Sequence, residues 1–369
     1  MKTRHMSTFS KYFLTFFISM CLIPTFVSAK NYKLRMQTNM GAGSPHQKLL
    51  EEFAARVATM SGGSIKIKVL PRGAIVKWQE IPDAVHKGLV EMGQGWTHFY
   101  TGKHPAAGLF NSPLGGSGTG LDQMGHLSWM IYGGGKELNQ EWWKKIGYDI
   151  VDLQVIPDGP EALGWFKKPI KTMDEFRKLK FRTPPGLPGE AYTEMGVSVV
   201  SMMASELVPA MASGTVDAGE WINPAADIST GLQDVAKFYS LQGLHQAIDI
   251  SSIYVNGKIW RSMSDAQRAI IEIAAEATIT RSLTFFVKAN GEALRTLLTK
   301  HGVTLFNPPP TYAEEFMAAS KKVLERRMKD PFFAKVMGSI QKFSDTAVPY
   351  RNETIKQSLF LGEAGSAGK

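Results

Sequence analysis

The segment GTVDAGEWINP, residues 214–224, brings an acid, an indole and an amide together just after a predicted buried strand. Glu220 stands beside Trp221, and Asn223 follows two residues later. The helix predicted before this strand ends at Gly214, since glycine readily adopts the left-handed conformation that closes many helices. A carboxylate and an aromatic ring at one place offer an oxygen ligand and a flat apolar wall. The segment therefore predicts a binding site at this strand end.

Other polar and aromatic side chains also stand at the ends of predicted strands. They are Trp96, His98 and Tyr100 after the strand LVEMGQGW, Glu161 just before the segment GWF, and Arg182 within FRTPPG. A guanidinium inside a cleft binds a carboxylate through two parallel hydrogen bonds, which a lysine cannot match. Arg182 is therefore a candidate for recognising an acidic solute. The alternatives are core packing for each aromatic residue and a surface salt bridge for Arg182.

The sequence has no complete motif for catalysis, phosphate binding or an organic cofactor. The segment YGGGKE lacks the P-loop spacing, and Thr119 replaces the second glycine of the nucleophile-elbow pattern in LGGSGTG. The histidines form no pair at helical spacing with an intervening acid, which is the zinc-hydrolase pattern. The residues leave an enzyme possible but unsupported, and we expect a binding protein that is no enzyme. The rival is a secreted hydrolase with Glu161 and Glu220 as its acid–base pair, which turnover of a solute would reveal.

Residues 1–29 have the pattern of a cleaved secretory signal. Three basic residues precede an apolar run that ends in the small residues VSA, so we expect cleavage after Ala29 and a periplasmic location. The only cysteine, Cys21, lies in this segment, and the mature protein is therefore expected to have no disulfide and no thiolate metal site. No later stretch is apolar over about 18 residues, which favours a soluble mature protein.

The charge of the chain gives no sign of a nucleic-acid partner. The sequence has 42 Lys and Arg against 33 Asp and Glu. Removing residues 1–29 takes away three basic residues and no acid, which leaves 39 against 33 and a net charge of +6. The densest basic cluster, KKVLERRMK, is typical of the exposed face of an amphipathic helix. We therefore expect the protein to bind no nucleic acid.

The order of the predicted elements indicates an α/β architecture with an internal similarity. Strands and helices alternate along the first 260 residues, and helical periodicity dominates after Ser264. The segment AVHKGLVEMGQGW, residues 84–96, resembles AMASGTVDAGEW, residues 210–221, and each predicts a helix, a glycine stop and a short buried strand. The helix before Gly214 is expected to have Ser205 as its cap. The similarity predicts two lobes whose strand ends face one cleft, unless it reflects common turn chemistry alone.

With these residues in this order, the chain resembles the solute-binding proteins of tripartite ATP-independent periplasmic (TRAP) transporters of the DctP family. The resemblance rests on three segments: the signal segment, FRTPPGLPGEAYTEMGVSVV and AMASGTVDAGEWINP. Within the family, the chain looks most similar to the branch that binds 2-oxo or 2-hydroxy monocarboxylates. The resemblance implies an α/β, two-lobed periplasmic binding protein fold with a hinge and a long connecting helix. Lobe I would comprise residues 30–157 and 248–286, and lobe II residues 158–247 and 287–369.

The resemblance also implies roles for the residues at the strand ends. Arg182 would bind the carboxylate of the solute, while Glu161, Trp221, Asn223, Trp96, His98 and Tyr100 would line the cleft. A cation, Na⁺ or Ca²⁺, would bridge solute and protein. Its ligands would be the side chains of Glu161, Glu220 and Gln246 and the backbone carbonyl of Trp221. No organic cofactor is expected.

The sequence departs from that branch at two of the proposed cation ligands. The branch usually has glutamine at the position of Glu161 and glutamate at the position of Gln246, so an acid and an amide have changed places. Hard cations accept oxygen ligands of either kind, and the site could keep its cation. Without a cation the two acids would repel an acidic solute and could instead recognise an amine. An amino-sulfonate such as taurine is therefore the main alternative solute, and a C4-dicarboxylate is another.

The resemblance implies partners as well as a solute. The protein would deliver its solute to the membrane subunits of a TRAP transporter. Relatives of this branch can pair through C-terminal helices, and the apolar face within TYAEEFMAASKKVLERRM is compatible with such a homodimer. A weaker alternative is a ligand-sensing module that serves a receptor.

Overall fold

The computed structural model describes residues 30–115 and 118–366, and the described residues from Tyr32 onward form one compact unit. The predicted signal segment, residues 1–29, lies outside the described residues. Among the helices that the structure describes, none combines the length and the apolar character that crossing a membrane requires.

Strands and helices alternate through most of the chain, as the periodicity predicts. The strands are β1 (Tyr32–Gln37), β2 (Ile65–Leu70), β3 (Met92–Gly95), β4 (Ile150–Pro157), β5 (Gly164–Phe166), β6 (Lys180–Arg182), β7 (Ser198–Val200), β8 (Ala218–Gly219), β9 (Phe238–Ser240), β10 (Ile250–Asn256) and β11 (Thr304–Leu305). The helices are α1 (Pro45–Met60), α2 (Ile81–Lys87), α3 (Gln123–Tyr132), α4 (Gly135–Lys145), α5 (Met173–Arg177), α6 (Leu187–Glu194), α7 (Ala204–Ser213), α8 (Pro224–Asp227), α9 (Leu232–Val235), α10 (Gly257–Ser262), α11 (Asp265–Lys300), α12 (Tyr312–Arg327) and α13 (Pro331–Ser366). Short 3₁₀ helices cover Trp78–Glu80, Thr97–Tyr100 and Pro105–Leu109.

The first sheet has the strand order β2-β1-β3-β10-β4. Strand β1 is parallel to β2 and β3, whereas β10 is antiparallel to β3 and β4. The end of β3, the start of β10 and the end of β4 therefore lie at one edge of the sheet. Ser252 pairs with Gly95 and Ile250 pairs with Pro157 at this edge.

The second sheet has the strand order β11-β9-β5-β8-β6-β7. Strands β6, β7 and β8 are parallel to one another where they pair, and β5 is antiparallel to both β8 and β9. Because of these directions, β6, β8 and β9 end at the same edge at which β5 begins. The two sheets and their helices form the α/β fold that the sequence predicts.

The two similar sequence segments fold into the same helix–strand unit, one in each sheet. Helix α2 ends at Gly88 with φ 75°, and α7 ends at Gly214 with φ 78°, both in the left-handed region that favours glycine. Strands β3 and β8 each have a parallel neighbour on one side and an antiparallel one on the other. The expected cap is wrong, because α7 begins at Ala204 and Ser205 is already inside it. The carboxylate of Glu206 instead accepts from the backbone of Met203 at 3.0 Å.

Two long C-terminal helices complete the fold. Helix α11 packs against β4 and α1 beside the first sheet and against α8, which follows strand β8 of the second sheet. It is the long connecting helix of the predicted fold. The apolar face of α12, with Phe316, Ala319 and Val323, is buried in the core and packs near α6, so it is not available for pairing. Exposed apolar residues instead stand near the end of α13, among them Leu359 and Phe360.

Candidate functional site

The strand ends of the two sheets meet around a small cavity. The residues that line it include Asn39, Trp96, His98 and Asp249 beside the first sheet and Glu161, Arg182, Trp221 and Gln246 beside the second. All of these side chains are at least nine-tenths buried. In a site that is largely shielded from water, charges and hydrogen bonds act more strongly than at the surface.

Arg182 is held in the cavity wall by three hydrogen bonds. It is the last residue of β6, and its Nε donates to the carbonyl of Met202 at 2.8 Å. Its Nη1 donates to Glu220 twice, to Oε1 at 2.7 Å and to the backbone carbonyl at 2.9 Å. The guanidinium carbon lies 5.0 Å from the centre of the Trp221 ring, a cation–π distance. Arg182 and Glu220 thus form a buried ion pair against an aromatic wall.

Adjacent parallel strands explain why Arg182 and Glu220 meet. Arg182 pairs with Gly219 in the ladder between β6 and β8, and the next residue, Glu220, donates its N–H to the carbonyl of Arg182 at 3.2 Å. The turn that follows is fixed by Asp227, which accepts from the backbone of Ile222 at 3.0 Å. The acid and the guanidinium are therefore placed by the sheet itself.

Glu161 lies just before β5, which runs antiparallel to β8. Its side chain therefore lies at the same edge of the sheet as that of Glu220, which follows β8. The backbone N–H of Glu161 donates to the carbonyl of Gln246 at 3.0 Å, which ties Glu161 to the loop after β9. Glu161, Glu220 and His245 each offer a ligand atom, and these atoms lie within 4.8 Å of one another. Burial, followed by the charges of Asp249 and Glu220, raises the pKa of Glu161 well above its usual range.

The pKa of Glu220 is also raised, to about 8, by burial. The positive charge of Arg182 opposes this rise, because it favours the ionised carboxylate. The local electrostatics therefore disfavour a pair of bare carboxylates in the cavity. A cation or a proton stabilises such a pair, and so does a positively charged group on a solute.

Asp249 is a buried acid in the lining that the sequence interpretation missed. It stands immediately before β10, and its Oδ2 accepts from the Trp96 indole at 2.9 Å. The side-chain amide of Gln246 donates to Ser112 Oγ at 2.9 Å and to Asp249 Oδ1 at 3.4 Å. The same signal that identified Glu161, an acid at the boundary of a buried strand, was present in the sequence for Asp249.

Besides Asn39 Oδ1, three buried side-chain oxygens in or beside the cavity accept no hydrogen bond from the described residues. They are Glu161 Oε2, Glu220 Oε2 and Gln246 Oε1. A buried acceptor without a donor carries a desolvation cost that a cation or a solute hydrogen would remove. These three side chains are the ones that the resemblance assigns to a cation, and an all-oxygen donor set fits Na⁺ or Ca²⁺.

Among the aromatic residues expected after β3, Trp96 and His98 line the cavity and Tyr100 does not. His98 Nδ1 lies 3.9 Å from Asp249 Oδ1, and burial lowers the pKa of His98 to about 3, so its ring is neutral. The expectation that Tyr100 lines the cleft is corrected. Tyr100 closes the 3₁₀ helix Thr97–Tyr100, which turns its side chain into the core beside Trp143, with the ring centres 6.5 Å apart.

Asn223 is also placed behind the cavity lining instead of in it. Its Oδ1 accepts from Ala226 N at 3.1 Å and so caps α8, while its Nδ2 donates to the carbonyl of Asp158 at 3.0 Å. Both ends of the amide are occupied by backbone groups, which explains the difference from the expectation. Asp158 in turn lies 2.6 Å from Nε2 of the fully buried His46, a pair that sequence reasoning did not find.

Comparison with known proteins identifies the family of this chain. The family model described as bacterial extracellular solute-binding protein, family 7 (DctP), matches residues 36–330. A monocarboxylate 2-oxoacid-binding periplasmic protein of Nostoc sp. strain PCC 7120 is 32% identical over 293 residues, which cover 78% of this chain and 77% of that protein.

Two solved structures of similar proteins contain cations. A TRAP transporter solute-binding protein from Bordetella bronchiseptica RB50, a mixed-occupancy dimer with copurified calcium and picolinate, has a TM-score of 0.85 and 26% identity, covering 92% of this chain and 100% of that one. Another from Pseudoalteromonas atlantica T6c, with sodium and pyruvate, has a TM-score of 0.82 and 25% identity, covering 89% and 99%. With the family model matching most of its length, this chain belongs to family 7 of the bacterial extracellular solute-binding proteins and has their two-lobed α/β fold.

Proposed function

We propose that this chain is the periplasmic subunit of a TRAP transporter and captures a small 2-oxo or 2-hydroxy monocarboxylate in the cavity. The observation that carries the proposal is the buried guanidinium of Arg182 beside carboxylate and amide oxygens that lack hydrogen-bond donors. The 2-oxoacid-binding relative and the pyruvate-bound neighbour support this class of solute.

Arg182 can bind a solute carboxylate without giving up its present partners. Its hydrogen bonds to the described residues use Nε and Nη1, and Nη2 donates none. We assign Nη2 to the solute carboxylate. Trp221 supplies the flat wall behind the guanidinium, and Trp96 and His98 supply apolar and polar contacts from the facing side. Tyr100 and Asn223 are not part of this set of contacts.

A cation is assigned to the oxygen side of the cavity. Glu161, Glu220, Gln246 and the backbone carbonyl of Trp221 would hold Na⁺ or Ca²⁺, the two ions present in the neighbouring structures. Its charge would offset the two acids and allow an acidic solute to approach. The proposed lobe boundaries, 30–157 with 248–286 and 158–247 with 287–369, put the oxygen ligands in lobe II and Trp96 in lobe I.

The proposal includes capture without turnover, export to the periplasm and delivery to TRAP membrane subunits. Pairing of two copies also stays a prediction, with the exposed apolar end of α13 as the candidate surface. The second candidate solute is an amino-sulfonate or another zwitterion, which Asp249 favours because it adds an acid to the lining besides Glu161. A C4-dicarboxylate is less favoured, since its second carboxylate would face these acids.

A matched set of solutes tests the proposal. Thermal unfolding and calorimetric titration would be recorded with pyruvate, lactate, taurine and succinate, each with Ca²⁺, with Na⁺ and with a chelator. We expect pyruvate or lactate to raise Tm in the presence of a cation, and Arg182→Ala and Arg182→Lys to abolish the rise or weaken it strongly. Cation-independent binding of taurine would favour the second candidate. Unchanged monocarboxylate binding by Arg182→Ala would overturn the assignment, and a modified solute recovered by mass spectrometry would indicate an enzyme.

A further inference from the structure

A buried row of hydroxyl and imidazole groups leads from α12 to Glu161. The backbone N–H of Leu244 lies 3.4 Å from the Tyr312 hydroxyl oxygen, which lies 3.0 Å from the hydroxyl of Tyr192. The Tyr192 hydroxyl lies 3.2 Å from His245 Nδ1, and His245 Nε2 lies 3.5 Å from Glu161 Oε2. All the side chains in this row are buried.

The direction of the hydrogen bonds in this row follows from its first member. A backbone N–H can only donate, so the Tyr312 oxygen accepts from Leu244 and the Tyr312 hydrogen is left to donate to Tyr192. The Tyr192 hydrogen then goes to His245 Nδ1. In the reverse direction the Tyr312 oxygen would receive two donors, and its own hydrogen would have no acceptor among the described residues. An unpaired buried hydroxyl is costly, which favours the first arrangement.

This direction decides which nitrogen of His245 carries the hydrogen. If Nδ1 accepts from Tyr192, the neutral ring has its hydrogen on Nε2. Neither His245 Nε2 nor Glu161 Oε2 makes a hydrogen bond with the described residues. Their separation of 3.5 Å is at the outer limit of hydrogen-bond distance, and a small movement of either side chain would close it. A donor and an acceptor, each without another partner, therefore face each other.

We propose that His245 is a positioning residue that donates from Nε2–H to Glu161 and fixes this carboxylate for the cation. The inference rests on the proposed function, since it assigns a supporting residue to the same site. A nitrogen that carries a hydrogen cannot ligate a metal, so His245 acts through Glu161 although it lies close enough to be a ligand itself. An N–H donor bonds a carboxylate more strongly than an amide oxygen, which gives a reason for an acid at position 161.

Two substitutions of His245 distinguish a hydrogen-bond donor at the Nε2 position from a role in packing alone. The amide of His245→Gln can place an N–H near the former Nε2, whereas that of His245→Asn reaches only the former Nδ1. Calcium affinity would be measured by calorimetry without solute. We expect His245→Gln to stay close to the wild type and His245→Asn to lose about 10- to 100-fold, the usual effect of losing an outer-shell partner. Equal affinities for His245→Asn and the wild type would overturn the proposal.

The tautomer of His245 can be read directly in the unmodified protein. Long-range ¹H–¹⁵N spectra of histidine-labelled wild type would be assigned by the signal that disappears in His245→Gln. We expect a neutral ring with its hydrogen on Nε2, and a hydrogen on Nδ1 or a charged ring would overturn the proposal. This measurement decides even if His245→Asn does not fold. A protein that fails to bind monocarboxylates but shows this tautomer contradicts the proposed solute and leaves the role of His245 standing.

Discussion

Gly219 and Arg182 lie opposite each other in the parallel ladder between β8 and β6, and a Cβ atom on Gly219 would lie 2.8 Å from the Cβ of Arg182. The same atom would lie 3.1 Å from a methyl carbon of Leu207 in α7. Carbon atoms this close repel one another, so a side chain at position 219 would push Arg182 away from Glu220 or α7 away from the sheet. The missing side chain of Gly219 is therefore a condition for the buried ion pair.

Gly219→Ala is expected to lower both stability and solute binding. Overpacking of this kind costs roughly 1–3 kcal/mol of unfolding free energy, which urea denaturation would measure. Gly338→Ala is the matched control, because Gly338 is exposed in α13 and has nothing within 4 Å of its added Cβ. The control should be neutral or gain up to about 1 kcal/mol of helix stability. A Gly219→Ala protein as stable as the control would contradict the argument.

The Arg182–Glu220 pair predicts a stability loss that a second substitution repairs. Arg182→Met leaves a buried carboxylate without its partner, which costs roughly 3–5 kcal/mol when a buried pair is broken. The double variant Arg182→Met/Glu220→Gln removes both charges and should recover most of that loss. Its solute binding should not return, since the guanidinium is still missing. Denaturation and calorimetry on the same samples would test the two parts, and recovery of binding would exclude the role of Arg182.

The contacts of Gln246 predict that glutamate, the residue that the related branch usually has at this position, is unfavourable in this protein. The amide donates to Asp249 Oδ1 at 3.4 Å, and Gln246→Glu would replace this donor by a second negative charge. We expect a lower Tm and weaker calcium binding, because like charges that close oppose each other's ionisation. The double variant Gln246→Glu/Asp249→Asn should restore both quantities. If Gln246→Glu alone binds calcium as tightly as the wild type, Asp249 does not act as described.

Asp152, which is not part of the cavity lining, predicts a pH dependence of stability. It lies in β4, its Oδ2 accepts from the Trp143 indole at 2.9 Å, and burial raises its pKa from 3.8 to about 6. The folded state therefore keeps a proton that the unfolded state loses above about pH 4, so stability falls as the pH rises through about 6. The loss is up to about 3 kcal/mol.

Urea denaturation of the wild type and of Asp152→Asn between pH 4 and pH 7 would test this dependence. An amide keeps an oxygen for the Trp143 indole and does not ionise. The difference between the two free energies of unfolding should grow with pH in favour of Asp152→Asn and level off near pH 7. Two parallel curves would show that Asp152 does not keep a raised pKa in the folded protein.

Much of the fold could be predicted because it depends on local pattern. Alternation and helical periodicity identify the strands and helices, and Gly88 and Gly214 end their helices in the left-handed conformation as expected. Parallel neighbours also bring strand ends to one edge, which is why Arg182 and Glu220 meet. Ser205 shows the limit of this reasoning, since the helix begins two residues before the expected start and Ser205 therefore lies inside it.

The details of the site could not be predicted to the same extent. Tyr100 follows Trp96 and His98 in sequence, but a single 3₁₀ turn directs it into the core. Asp249 joins the cavity lining only because β10 inserts between β3 and β4. His245 lies beside Glu161 because the loop after β9 packs against Tyr192 and Tyr312. Such contacts join residues far apart in sequence, and neither spacing nor composition records them.

The cavity-lining side chains described above, apart from Arg182, come from segments just outside the strands. Changes at Trp96, Glu161, Gln246 or Asp249 therefore leave the backbone hydrogen bonds between the strands in place. A set of such substitutions could be moved between relatives as a cassette, with the two sheets as an unchanged scaffold. Arg182 would be the fixed point of such a design, and a fluorophore on either side of the cavity would turn the protein into a reagentless sensor for small acids.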